Sequence, residues 1–191
     1  AMLIALDASP SMSTNLKWAT AQQAIISAID KDVFDSMSIG VITFPVASPD
    51  PGSSVAAPAC LQGLVSKVSC GVSGLPDIQL APAGTDKSNA PAGVRKNIYD
   101  FLKGHSPVSS PDDGSPVYDG MALGYNVLKQ YDISRRIMLL ITDGGFSCTS
   151  LSNRPGYSDG LCNDWEYPDS VNTLIAANRA DHSAGIWRSR L

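Results

Sequence analysis

Two short runs in this 191-residue chain are apolar at every position, Met2 to Leu6 and Ile137 to Ile141. Each leads into a carboxylate: Asp7 follows the first directly, and Asp143 lies two residues beyond the second. An unbroken apolar run has no polar face to turn to water. It therefore predicts a strand covered on both faces, which is the habit of parallel sheets. Ile39 to Phe44 predicts another strand, halted by Pro45.

Between these strands the apolar residues recur at helical spacing. Trp18, Ala21, Ile25, Ala28 and Ile29 mark one helix, with Ser13 or Thr14 expected as its cap. Val94, Ile98, Phe101 and Leu102 mark a second, ended by Gly104, and Met121, Tyr125 and Leu128 a third. Asp169 or Ser170 is expected to start a fourth, with Val171, Leu174, Ile175 and Asn178 on one side. The stretch from Pro45 to Pro91 is Pro-rich and irregular, with short strands expected near Leu64–Val68 and Ile78–Leu80. The alternation predicts one α/β domain over residues 1–191: a doubly wound, mostly parallel, Rossmann-like sheet with helices on both faces. Ligands of such folds bind at the carboxyl ends of the strands.

Composition narrows the function. The net charge is −4, with no basic run, which argues against nucleic acid as a partner. No apolar stretch approaches the roughly 20 residues of a transmembrane helix; no secretory leader is read at the start, where a mature or trimmed chain would have lost one. The acidic residues are 17 Asp and a single Glu, Glu166. Asp favours turns, caps and oxygen-rich ion sites over exposed helix faces. None of the four cysteines forms a C-x-x-C pair. Of the three pairings they allow, Cys60–Cys70 with Cys148–Cys162 closes the shortest loops and is the one expected, each worth roughly 2–3 kcal/mol before strain. Paired cysteines favour an extracytoplasmic location; the alternative is four reduced thiols in the cytosol.

Asp7-Ala8-Ser9-Pro10-Ser11 places a carboxylate and two hydroxyls on alternate residues of a tight loop. Hard oxygen donors of this kind suit Mg²⁺, Mn²⁺ or Ca²⁺. Position 9 is Ser where a haloacid-dehalogenase-type phosphatase needs a second Asp. The sequence has no P-loop, no G-x-G-x-x-G after the first strand and no G-x-S-x-G. The alternative for Asp7, Ser9, Ser11 and Asp143 is a local role as turn or cap residues.

These residues resemble the von Willebrand factor A family. Its metal-ion-dependent adhesion site combines D-x-S-x-S after the first strand, a Thr on a second loop and an Asp after the fourth strand. Asp7–Ser11 matches the first element and Ile141-Thr142-Asp143-Gly144 the third. The second resembles Ser115-Pro116-Val117-Tyr118-Asp119-Gly120-Met121, with Ser115 in the Thr position. The resemblance covers roughly residues 1 to 186. It implies that Ser9 and Ser11 ligate a divalent ion directly, as does Ser115 in the engaged state, while Asp7 and Asp143 act mostly through water. Mg²⁺ is the first choice, with Mn²⁺ or Ca²⁺ as alternatives, and the partner is a protein or surface offering an Asp or Glu carboxylate. A complete domain of that family has two more strands after the fourth. Here the fifth is expected to be barely begun at Gly185-Ile186-Trp187, so that the chain is a fragment or another chain completes the sheet.

The function expected from this resemblance is a non-enzymatic adhesion domain of a secreted or surface bacterial protein, similar to gliding or attachment adhesins. The rival readings are a cytosolic subunit beside an ATPase, as in metal chelatases, and a divalent-metal hydrolase, which would need a base such as His105 near Asp7 and Asp143. Trp18 is read as core. Asp112 and Asp113 are read as solvated turn residues. The loop with Asp159, Asn163, Asp164, Glu166 and Asp169 is acidic without EF-hand spacing. Tyr157, Trp165 and Tyr167 in that loop are read either as partner contacts or as packing.

Overall fold

The computed structural model describes residues 1–46, 54–56, 67–69, 72–108, 115–133, 135–144, 168–179 and 184–186. A five-stranded sheet is built from β1 (Met2–Asp7), β2 (Ser38–Phe44), β5 (Ile78–Pro82), β6 (Arg136–Ile141) and β7 (Ala184–Ile186) in the order β5-β2-β1-β6-β7. β1 lies at the centre, parallel to both β2 and β6; β7 is parallel to β6, and only β5 runs antiparallel, against β2. A separate two-stranded ribbon pairs β3 (Ser54–Ala56) with β4 (Lys67–Ser69).

Helices α1 (Lys17–Ile29), α2 (Val94–Gly104), α3 (Val117–Lys129) and α4 (Pro168–Arg179) cover the sheet. The two-residue period of the strands divides the core. Met2, Ile4 and Leu6 of β1, with Ile39 and Val41 of β2, pack with Trp18, Ile25 and Ile29 of α1 and Ile98 and Leu102 of α2. Leu3 and Ala5, with Ile42 and Phe44, pack with Val117, Met121 and Tyr125 of α3, and Leu174 and Ile175 of α4 join that face. This is the expected doubly wound, mostly parallel architecture, and every residue of β1 is buried.

Several local expectations change. Neither Ser13 nor Thr14 caps α1. Their hydroxyls donate back to Pro10 O (2.6 Å) and Ser11 O (2.7 Å), closing a short 3₁₀ turn over Pro10–Ser13. The chain then passes through Asn15 and Leu16 at positive φ before α1 begins. Ala28 is exposed and Ile26 takes its place in the core. β6 is only half-buried apart from Met138. α4 begins at Pro168, a residue suited to a first helical turn because its missing N–H has no intrahelical role there. β3 was not expected, and β4 lies later than the expected Leu64–Val68 strand. β7 does take up Gly185 and Ile186. All four cysteines, Asp112, Asp113 and the acidic aromatic loop before α4 lie outside the described residues. Among the described residues no helix is long and apolar enough to cross a membrane.

Candidate metal centre

The central strand ends at Asp7, whose side chain is fully buried. By alternation Asp7 falls on the same face as Leu3 and Ala5, the face that α3 covers. Ser115 sits two residues before α3 and donates its hydroxyl to Asp7 Oδ2 at 2.6 Å. Thr142, just past β6, shares that face with Met138 and Leu140 and donates to the same oxygen at 2.6 Å. The other oxygen, Oδ1, accepts the backbone N–H of Ser9 at 2.8 Å, an Asx-type turn that folds the loop back over the strand end.

From there the cluster extends outward. Ser9 Oγ and Ser11 Oγ are 3.0 Å apart, and Ser11 Oγ donates to Asp143 Oδ1 at 2.8 Å. Lys17 Nζ, on the first residue of α1, reaches Asp143 Oδ2 at 2.5 Å. The loop is fixed from both sides: Ala8 N–H donates to Phe44 O (2.6 Å), and Val108 N–H donates to Ala8 O (2.8 Å). All five expected residues, Asp7, Ser9, Ser11, Ser115 and Asp143, thus meet in one hydrogen-bonded group at the carboxyl ends of β1 and β6.

Burial raises the Asp7 carboxyl above its usual range, although hydrogen bonds from Ser115, Thr142 and Ser9 pull the other way. Among the described residues no Lys or Arg pairs with it. A buried carboxylate supported only by neutral donors is costly to keep ionised. A hydroxyl that gives its proton to Asp7 keeps its oxygen as an acceptor, and Thr142 Oγ1 accepts the Gly144 N–H at 3.3 Å. Among the described residues no three His, Cys, Asp or Glu side chains come together as a metal-ligating group. Any ion seated here relies on hydroxyl oxygens beside two carboxylates, and that all-oxygen set fits a hard divalent cation.

Two members of the group were not singled out from sequence. Thr142 lay inside a quoted motif, and extending the strand alternation one residue past Ile141 would have found it. Lys17 carries no sequence signal beyond its place at the start of a helix. His105, the candidate base, packs instead in an aromatic group. Its ring is stacked on Phe101 with centroids 4.8 Å apart and tilted against Trp18 at 5.8 Å. Trp18 is core, as expected, and donates its indole N–H to His105 O at 3.2 Å.

No protein-family model and no curated protein matches the sequence. Solved structures do resemble it. A von Willebrand factor type A protein from Catenulispora acidiphila is similar over 97% of this chain and 32% of its own, with 15% identity and a TM-score of 0.54. An aerotolerance-related membrane protein from Bacteroides fragilis is similar over 97% of this chain and 64% of its own, with 14% identity and a TM-score of 0.53. Proximal thread matrix protein 1 from the mussel byssus is similar over 97% of this chain and 34% of its own, with 13% identity and a TM-score of 0.53. This chain spans less than two thirds of each of them. At such identities the likeness is one of architecture, and the chain has a von Willebrand factor A-like fold.

Proposed function

We propose that this chain is a non-enzymatic, adhesion-type binding module of a secreted or surface-exposed bacterial protein. It takes hold of a partner's Asp or Glu carboxylate through a divalent ion, Mg²⁺ first, seated among Asp7, Ser9, Ser11, Ser115 and Asp143. The observation that carries this reading is the convergence of three separate segments on the Asp7 carboxylate: Ser9, Ser115 and Thr142 all donate to it. A bound divalent ion would supply an electrophilic centre for the partner's carboxylate. Asp7 orients the Ser115 and Thr142 hydroxyls and makes their oxygens better donors, as outer carboxylates do around metal sites. Ser9 and Ser11 present their hydroxyls from a loop pinned by backbone hydrogen bonds, so little ordering is needed on binding.

A binding role is favoured over hydrolysis because the His105 ring is engaged with Phe101 and Trp18. The expected pairs Cys60–Cys70 and Cys148–Cys162 belong to this proposal, as does the extracytoplasmic location.

Calorimetric titration of Mg²⁺ and Mn²⁺ into the wild type, Ser9→Ala and Asp143→Ala tests the ion site, with circular dichroism as the check on folding. Both variants should remain folded and bind more weakly. Equal binding by all three would overturn the site. Attachment to a surface or partner should be abolished by EDTA, and attachment that persists in EDTA with the fold intact would overturn the mechanism.

A further inference from the structure

Both oxygens of the Asp143 carboxylate have partners within the protein. Its Oδ1 accepts the Ser11 hydroxyl, and its Oδ2 holds the Lys17 ammonium at 2.5 Å. Lys17 Nζ also lies 3.5 Å from Ser11 O, so the ammonium sits against the same loop that presents the hydroxyls. The Asp143 side chain is only 11% exposed, whereas that of Lys17 is 35% exposed. The ammonium therefore has a solvated side to move into, and its long flexible stem allows the movement.

Its position on the helix is also unusual. Lys17 is the first residue of α1, and no acidic residue lies in that first turn. A helix N-terminus carries partial positive charge and disfavours a cation there. Asp143 offsets that cost. The two carboxylates of the cluster thus differ: among the described residues Asp143 has a counter-charge and Asp7 has none. Lys17 cuts the formal charge of the pair from two negative to one, and so weakens their pull on a divalent ion.

We propose that Lys17 is a tethered competitor for the divalent ion: its ammonium occupies the Asp143 carboxylate, and ion loading releases it. This rests on the ion reading above and adds a regulatory element to it. The affinity of the site for its ion is set by the strength of the Lys17–Asp143 pair, and a partner that draws Lys17 away would tighten the ion.

The test uses the full chain as wild type, Lys17→Met and Lys17→Arg, titrated with MgCl₂ and with MnCl₂ by calorimetry. Met keeps the aliphatic stem and removes the charge. Lys17→Met should bind roughly fivefold tighter than wild type, as expected for losing one partly exposed ion pair. Lys17→Arg, which keeps the charge, should show no such gain. In a parallel experiment, the ¹⁵N signal of the Lys17 ammonium should shift toward that of a free lysine as MgCl₂ saturates the protein. Affinity in Lys17→Met that is equal to or weaker than that of a binding wild type overturns the Lys17 proposal and leaves the ion site standing. An ammonium signal unchanged at saturation overturns the release. No binding of either ion by any of the three proteins overturns the ion reading, and the proposal with it.

Discussion

Replacing Gly120 with Ala should separate α3 from the sheet beneath it. A Cβ built on Gly120 would lie 2.7 Å from Phe44 Cε1 and 2.9 Å from Phe44 Cγ. Carbon atoms in favourable contact sit about 3.5–4.0 Å apart, so ring and helix must part by close to 1 Å. Phe44 is fully buried, and its carbonyl accepts the Ala8 N–H, so neither ring nor backbone is free to yield. Overpacking costs about 1–3 kcal/mol, and three ring atoms within 3.0 Å of the new Cβ place this case in the upper part, about 2–3 kcal/mol; the better helix propensity of Ala returns close to 1 kcal/mol. A net loss of about 1–2 kcal/mol is expected, which for a chain of this length lowers Tm by roughly 3–6 °C. Gly124→Ala is the control. Its Cβ would meet Met138 Sδ at 2.6 Å, with the next neighbour, Ile42 Cδ1, at 3.5 Å. A thioether can swing aside, so that variant should lie within about 0.5 kcal/mol of wild type. Urea denaturation and thermal melts of the three proteins decide. Gly120→Ala as stable as wild type, or Gly124→Ala the worse of the two, would refute the reasoning.

Two further predictions concern charge outside the ion site. Burial lowers the His105 pKa below its ordinary 6.5, with Asp77 pulling weakly the other way. The unfolded chain therefore takes up its proton at a higher pH than the folded one. The stability contributed by the neutral ring is complete above about pH 6.5 and is lost as pH falls through that value toward the lower folded pKa. Tm should fall between pH 7.5 and 5.5, and less so in His105→Gln; an equal fall in both would remove His105 from the effect. The second concerns Arg95, whose buried guanidinium donates from Nη2 to Asp35 Oδ1 at 2.6 Å and from Nη1 to Asp86 O at 3.4 Å. Asp35→Asn leaves that buried charge without its partner, while Arg95→Met replaces it with an apolar chain. Asp35→Asn should therefore be the more destabilising in urea, and the opposite order would refute this.

The parts of the fold that were legible in sequence are those where a single physical demand dominates. Met2–Leu6 cannot expose any face, so its burial and its parallel neighbours follow directly. Val94, Ile98 and Leu102 recur at the helical period and all are buried in α2. Some of the errors fall where local hydrogen bonding chooses among near-equal options. Ser13 and Thr14 have the chemistry of helix caps, but the same hydroxyls serve equally well to close the 3₁₀ turn onto Pro10 O and Ser11 O. The turn so closed follows directly on Ser9, at the end of β1. Ala28 and Ile26 flank the stripe of Ala21, Ile25 and Ile29 on opposite sides, and the helix turns its larger flank, Ile26, into the core.

The candidate site was legible as a set of residues but not as a distribution of charge, and alternation past the strand ends explains both. Asp7 and Thr142 fall on the face covered by α3, and that helix is preceded by a hydroxyl, Ser115. Asp143 falls on the opposite face, and the helix covering that side, α1, begins with a cation, Lys17. One carboxylate is therefore met by neutral donors and the other by an ammonium, although both stand at neighbouring ends of the same sheet. The motif residues carry only half of this difference, the neutral hydroxyl of Ser115; Lys17 is not among them. It is set by the first residue of one helix and by the residue two positions before another, and neither residue belongs to the strand whose end it serves. A sequence with the same five site residues but an uncharged residue at position 17 would have the same geometry at Asp7 and a more negative Asp143, so its appetite for a divalent ion would differ while its motifs read identically.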